Sequence, residues 1–500
     1  MPIMHAVSEV AVVGAGAVGL TLAGRLAQHG AGVDLFEAET EREPTGSKAI
    51  CMQRETLEIW ARLGVGEHVA QRGVQWRVGR TYFRGHQLFE VHLPGDEEHF
   101  PPFVNISQSE VEELLEARAI ELGVRIHRGH RLTALTQDAD GVSATFDTGA
   151  STGSHRFSFL VGTDGAHSTV RHALGIEFVG YSFDDRFLIA DVRAELPFAN
   201  ERHFHFDPPW NPGRQVLIHP QPDGVWRIDW QVPPETDADL ERTTGGLARR
   251  IRAVIGPDTP YELVWLTAYR FSQRLADAFR AGRCFLAGDA AHVMSPFGAR
   301  GLNSGVADAE NLAWKLAWVI RGEAEPSLLD SYEIERRPVA AENLRVTDAT
   351  MRFMAPHGPL RNAWRDLVLR MAPRSDLFRR RVNSGRLAEP ATYAVAQAPP
   401  ADPALPRPGA VAPDVRLPTG ARLRDRLGRS FVAVVPGAME RGPRIALVEV
   451  GPHTAYGPDH VWLVRPDGHL AGTVPLAKAT PKALEALLQA NLDRAPSRFT

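Results

Sequence analysis

Arg283–Trp318 reads RCFLAGDAAHVMSPFGARGLNSGVADAENLAWKLAW, and the fold is decided there. Cys284–Ala287 is a short apolar run of buried-strand type, ended by Gly288-Asp289 and followed by a loop rich in Gly, Pro and Ser. From about Gly305 the apolar positions Val306, Ala309, Leu312, Ala313 and Leu316 recur at three- and four-residue spacing, which is helical. A strand, a glycine loop and a helix N-terminus gather free backbone N–H groups and the positive end of a helix dipole. Asp289 adds a carboxylate suited to accepting hydrogen bonds from sugar-like hydroxyls. An ordinary capped strand-turn-helix fits the stretch as well; two motifs upstream favour a nucleotide cofactor.

The first of these begins with the strand Glu9–Val13, followed by Gly14-Ala15-Gly16-Ala17-Val18-Gly19 and a helix to about His29. Gly30-Ala31-Gly32 then turns into a second strand, Val33–Phe36, ending at Glu37. This is the GxGxxG fingerprint in its required setting. Gly14 allows the tight turn, Gly16 lets backbone approach a pyrophosphate, and Gly19 lets helix and strand pack closely. Glu37 would accept bonds from an adenosine ribose. The motif alone does not distinguish FAD from NAD. The second is Leu160–Arg171, LVGTDGAHSTVR, an apolar strand ended by Gly162 and the pair Asp164-Gly165, with Ser168 and Arg171 where a helix begins. Lys48, Gln53 and Arg54 precede a helical pattern and face either a cofactor phosphate or solvent. Ser107-Gln108-Ser109-Glu110 opens an amphipathic helix with Ser107 or Ser109 as its cap.

Elsewhere the texture differs. Val74–His99 reads as strands turning at Arg84-Gly85 and Pro94-Gly95. From Ile176 to about Thr267, strands alternate with polar turns, and Val216–His219 and Val225–Gln231 flank a hairpin-like connection. Arg227 and Asp229 are two apart and share a face, with His219 on the partner strand. Trp226 and Trp230 either stack a substrate or belong to the sheet core. Leu328–Arg370 is largely helical, with Pro338 marking a break. Gln397–Pro413 is proline-rich and reads as a semi-rigid linker. Strands at Phe431–Val435, Ile445–Val450 and His460–Val464 follow, then a turn at Pro466–Gly468 and a helix capped by Thr480 with Pro481 at its first position.

Composition bounds the rest. The 500 residues, 44% hydrophobic and 23% charged, are globular in character and long enough for several domains. A net charge of −4 argues against a nucleic-acid surface. Cys51 and Cys284 are far apart and outside any CxxC, which argues against disulfides and metal sites. The run Val10–Leu20 is broken by glycines and reads as a strand and turn, not a signal peptide. No run approaches the ~20 apolar residues of a membrane helix, so a cytoplasmic location is the expectation.

GAGAVG, VGTDGAHS and LAGDAAH in this order, followed by SPFGARGLNSG, make the chain resemble the single-component (class A) FAD-dependent aromatic hydroxylases of the p-hydroxybenzoate and phenol hydroxylase group, over roughly residues 8–350. The resemblance implies an α/β fold: a Rossmann-like FAD-binding domain with an inserted antiparallel-sheet substrate domain and a small thioredoxin-like C-terminal domain. The expected division is 1–175 and 271–396 for the FAD-binding domain, with substrate-side strands near 74–102. Residues 176–270 form the substrate domain, 397–413 the linker and 414–500 the thioredoxin-like domain, which lacks a CxxC. It further implies non-covalent FAD, NADPH or NADH, and O2, with one oxygen atom inserted into a small activated aromatic substrate through a flavin C4a-hydroperoxide. Monomer and homodimer both remain open.

By that likeness Gly14, Gly16, Ala17, Val18 and Gly19 cradle the pyrophosphate, while Glu37 and Ala38 meet the adenosine half. Lys48 stands where the family has an arginine near the pyrophosphate, keeping the charge but losing the bidentate fork. Gln108 and Asp289 contact the ribityl and phosphate region. Asp164, with Gly165, serves both FAD and the nicotinamide donor. Backbone at Gly301, Leu302 and Asn303, after Pro296, holds the flavin's pyrimidine edge. The chemistry needs a dry pocket, which the sheet face and the Pro296-Phe297 loop would supply.

Catalytic candidates are His219, Arg227, Asp229 and Pro296, with His219 as base, hydrogen-bond partner or plain structural residue. A flavin dehydrogenase or oxidase is not expected to carry both the Asp-Gly motif and the SPFGARGLNSG loop. The halogenase signature WxWxIP is absent. Epoxidation, Baeyer-Villiger oxygen insertion and a non-enzymatic FAD-binding ligand sensor are the alternatives.

Overall fold

Val10–Val13 is buried at every position, as a strand covered on both faces must be. In the computed structural model, which describes residues 9–42, 46, 49–93, 99–354, 356, 358–382, 390–395, 397, 400–440, 443–451 and 454–493, it lies inside a six-stranded sheet. The order is Arg280–Ala281, Cys284–Leu286, Phe159–Gly162, Val10–Val13, Val33–Phe36, Arg125–His127, parallel except for the first strand. Val13, Gly162 and Leu286 stand in one register row. The turns of all three sequence motifs therefore open at the same carboxyl edge, where ligands of open α/β sheets bind.

An eight-stranded sheet stands beside it. Its centre is the antiparallel pair Phe178–Arg193 and Glu262–Ala276, extended by Val225–Val232, Gln215–Pro220 and Arg202–Phe206. Val78–Phe83 adds in parallel to Arg202–Phe206, and His86–His92 closes the far edge. The hairpin turn between these last two uses Arg84 and Gly85, both at positive φ. His292–Val293 pairs with the other edge and so joins this sheet to the Gly288 turn.

Helix Gly301–Ile320 runs through the middle of the molecule. Val306, Ala309, Leu312, Ala313 and Leu316 are wholly buried, matching the helical spacing. Its other face is buried too, because the C-terminal unit covers it: Trp314 and Trp318 meet Phe431 edge-on at 5.7 and 5.3 Å. The polar residues there are matched. Glu310 pairs with Arg25 at 2.6 Å and with Arg62 at 3.0 Å. Lys315 and Arg465 both bond Glu335, at 2.7 and 2.6 Å.

The C-terminal sheet has the order Ala446–Glu449, Val432–Val435, His460–Val464, Leu470–Pro475, with only the first pair parallel. Helix Pro481–Leu492 packs on it, with the Thr480 hydroxyl accepting from Ala483 N–H at 3.1 Å. Part of the proline-rich stretch runs along this sheet: Gln397 exchanges side-chain bonds with Thr473, and Gly409 donates to Leu470 at 2.7 Å. Pro338 does not break the chain's direction. It lies inside the continuous helix Asp330–Met354. The carbonyl deprived of its partner belongs to Ile334, a residue exposed to solvent. Among the described residues, no helix is long and apolar enough to cross a membrane.

Candidate active site

The glycine loop after Val10–Val13 separates three steric demands. Gly14 has φ of 108°, and a Cβ on it would lie 2.5 Å from the Thr163 carbonyl oxygen. At Gly19 a Cβ would come 1.9 Å from the Gly14 carbonyl oxygen, so the helix packs on the turn only without one. At Gly16 a Cβ would meet nothing nearer than Glu112 Oε1 at 3.5 Å. The protein itself therefore does not require Gly16; the space above it is a cradle open to a ligand. Glu37 reaches back from the next strand and accepts from Ala15 N–H at 2.8 Å and Glu39 N–H at 3.0 Å. A carboxylate has about four acceptor sites, so capacity for hydroxyl donors remains. Glu112 accepts from Ala17 N–H at 3.1 Å and from Gln108 Nε2 at 2.8 Å, and burial raises its pKa.

The other two turns lock onto this one. Gly305 lets helix Gly301–Ile320 approach, since a Cβ would sit 2.7 Å from Val18 and 3.0 Å from the Gly288 Cα. Asp308 holds the Gly288 turn by accepting from Gly288 N–H at 3.1 Å, from His292 Nε2 at 2.7 Å and from Arg336 Nε at 2.7 Å. Burial alone would push its carboxyl up, but His292 and Arg336 hold it below the usual range. Asp289 projects from this turn into the cavity. The Asn303 side chain ties the helix start to strand Cys51–Gln53, accepting from Gln53 N–H at 2.9 Å and donating to the Cys51 carbonyl at 3.0 Å. The first-turn N–H groups from Gly301 to Asn303 have no intrahelical partner by geometry.

Asp164 lies in the turn that follows strand Phe159–Gly162. Its carboxylate accepts from Ser168 Oγ at 2.5 Å and Val170 N–H at 3.1 Å, capping the short helix Thr169–Ala173, while Thr163 and Gly165 face the cavity. Lys48 lies outside the described residues.

One cavity of about 460 Å³ runs from Gly16, Ala17, Val18 and Gln108, past Asp289, Pro296 and Gly301 to Asn303, to the face of the eight-stranded sheet. That face is apolar and aromatic, with Phe187, Phe204, Leu217, Tyr269, Phe271 and Phe297. Among the described residues, three polar atoms in it have no hydrogen-bond partner: Asp229 Oδ1, His219 Nδ1 and Arg202 Nε. Burial pushes the Asp229 carboxyl up to about 7, against the pull of Arg227. Burial, with Arg202 and Arg227 nearby, pushes His219 down to about 3. Burial thus favours the neutral imidazole at His219, which offers the cavity a hydrogen-bonding group. Arg227 is committed to a fork with Asp191, with both bonds at 2.8 Å, and so supports the site without a free charge.

Trp226 and Trp230 are core. They alternate with Arg227 and Asp229 along the strand and point to the opposite face, among Val216, Ile228 and Ile251. That period-two pattern is present in WRIDW and would have placed them. Arg202 and the aromatic lining were missed, because single residues of strands such as RHFHF carry no motif. Cys51 borders the cavity with its thiol pushed up by burial to about 12.

Comparison with known proteins fits this geometry. The FAD binding domain family matches residues 7–347. The chain is 34% identical over 362 residues to 6-methylpretetramide 4-monooxygenase of Streptomyces rimosus, covering 71% of this chain and 63% of that relative, less than two thirds of its length. It is 35% identical over 389 residues to the 12-dehydrotetracycline 5-monooxygenase/anhydrotetracycline 6-monooxygenase of Streptomyces rimosus subsp. rimosus, covering 73% of each. The ternary complex of aklavinone-11 hydroxylase with FAD and aklavinone superposes with a TM-score of 0.79 at 26% identity, covering 98% of this chain and 100% of that one. The chain belongs to the FAD binding domain family, among flavin-dependent monooxygenases.

Proposed function

We propose that the chain binds FAD non-covalently along the carboxyl edge of the six-stranded sheet and, with NAD(P)H and O2, hydroxylates an activated aromatic substrate in the adjoining cavity. The observation that carries this is the single cavity joining the Gly16 cradle to Asp229 and the aromatic sheet face. Glu37, with Ala38 beside it, accepts from the adenosine ribose. N–H groups at Gly16, Ala17 and Val18 receive the pyrophosphate at a helix N-terminus, and Gln108 and Asp289 bond the ribityl chain. The N–H groups of Gly301, Leu302 and Asn303 stabilise negative charge on the flavin edge. Lys48 near the pyrophosphate remains a proposal from sequence alone. Asp164 acts by shaping the turn at Thr163–Gly165. The strand order of the tail supports a thioredoxin-like unit.

When bound, FAD would supply the activation of O2, at the expense of NAD(P)H. The chain's own residues do the rest. Asp229 takes a proton from an aromatic hydroxyl at its unpartnered Oδ1, raising electron density in the ring. His219 offers a neutral hydrogen bond, and the phenylalanines exclude water. The cavity volume lies within the range of about 300–1,000 Å³ for drug-sized ligands. The relatives named for pretetramide and tetracycline substrates support a fused-ring phenol.

Three outcomes check this reading. A panel of mono- and fused-ring phenols should include one that speeds NAD(P)H oxidation at least ~10-fold, a bias of only ~1.4 kcal/mol, with one oxygen atom added to the product. A complete absence of stimulation and product would favour the sensor alternative. Acid precipitation should release all the flavin. Asp289→Ala should weaken FAD binding by roughly 10–100-fold, since it leaves cofactor donors unpaired at a cost of ~1–3 kcal/mol; unchanged retention on dialysis would remove Asp289 from the site.

A further inference from the structure

Arg202 is the cavity's one cation without a protein counter-charge among the described residues. It opens strand Arg202–Phe206 and lines the cavity beside Trp76, whose ring lies 5.6 Å below the guanidinium. Gly79, its partner across the parallel ladder, makes room for it: a Cβ there would stand 3.2 Å from an Arg202 Nη. Its Nε is enclosed and has no hydrogen-bond partner. The ionisable group that bears on it in its favour is the Cys51 thiol, itself neutral at physiological pH because burial pushes it up to about 12. Arg227, two strands over, shows how the fold treats a buried guanidinium when it supplies the partner: Asp191 meets it in a two-bond fork. A buried charge is normally paired, and the face of Trp76 gives only part of that compensation.

We propose that the counter-charge arrives with the substrate: the aromatic compound carries a delocalised oxyanion, such as a carboxylate or an acidic enol, and Arg202 receives it. This rests on the reading of the cavity as the substrate site. The guanidinium fork matches such an anion in two parallel N–H···O bonds, and placing it there leaves the hydroxyl-bearing part of the ring toward Asp229. Arg202 is then a specificity-determining residue that selects acidic over neutral aromatics, while Asp229 handles the proton.

The test uses the FAD-loaded full chain and a matched pair, 6-hydroxy-2-naphthoate and its carboxamide, with binding read from perturbation of the flavin absorbance and from thermal shift. The acid should bind at least ~10-fold more tightly than the amide to the native enzyme, as expected for a charge-assisted fork. Arg202→Met should lose that preference, weakening the acid ~10–100-fold and the amide less than twofold; Arg202→Lys should keep part of it. FAD retention should be unchanged in both variants. No preference for the acid in the native enzyme, including failure of both compounds to bind, overturns the proposal. So does loss of FAD in Arg202→Met, which would make the guanidinium a cofactor ligand. Whether either compound gains an oxygen atom tests the monooxygenase reading separately, because binding preference is read without turnover.

Discussion

Arg465→Met is expected to destabilise the folded chain by about 3–5 kcal/mol, the usual cost of stranding a buried charge by removing its partner. Arg465 bonds Glu335 at 2.6 and 2.8 Å and Asp467 at 3.1 Å, and all three are buried between the C-terminal unit and helices Gly301–Ile320 and Asp330–Met354. Lys315, pushed down by burial to about 8, cannot neutralise both carboxylates. The sign of the pH effect follows from the present state. Burial would raise Glu335 and Asp467, but Arg465 holds both below their ordinary values. In the native chain their contribution is present above the unfolded carboxylate pKa and is lost on acidification. Without Arg465 at least one carboxyl is raised, and the folded state keeps a proton the unfolded chain has released. The deficit should thus be larger at pH 8 than at pH 5 in urea unfolding. A deficit below about 1 kcal/mol at both pH values would show that the network does not hold the two units together. Truncation near Ala401 removes the same partners and uncovers Trp314 and Trp318, so it should cost at least as much.

Asp229→Asn should lower the rate of substrate hydroxylation by about 10²–10⁴-fold, the usual weight of a positioned proton acceptor. In the native enzyme, activity should rise with pH through about 7, where the buried Asp229 carboxyl ionises. In the variant that limb should vanish or move to the ionisation of the substrate hydroxyl. The same change should stabilise the protein at pH 8. The folded pKa of about 7 lies above the ordinary aspartate value of 3.8, so the folded state retains the proton longer. Stability falls as pH rises from about 4 to about 7 and is level beyond, an effect on the order of a few kcal/mol. Asn carries no such penalty. A slower yet more stable variant at alkaline pH is the joint signature of a carboxylate held for chemistry. Unchanged kcat/KM, or a pH profile identical to that of the native enzyme, would remove Asp229 from the mechanism.

The three motif turns were legible because their demands are local. The positive φ of Gly14 and the 1.9 Å approach that Gly19 permits arise within six residues of chain. Glu37 ends the strand next to the loop it serves, so its position follows from one strand-helix-strand unit. The apolar stripe of helix Gly301–Ile320 and the caps of the tail are equally short-range properties. What the sequence did not determine depends on partners brought from afar. Asp164 accepts from Ser168 and Val170 of its own helix, an orientation set once that helix folds against the strand end. Arg202 and Arg227 are the same residue type on two strands of one sheet, yet only one meets a carboxylate, supplied by Asp191 36 positions away in the chain. His219 is pushed down and Asp229 up by burial, an exclusion of water that only the assembled fold supplies. Backbone conformation is set by sterics among near neighbours, whereas ionisation is set by solvent and charge, which only the assembled tertiary structure distributes.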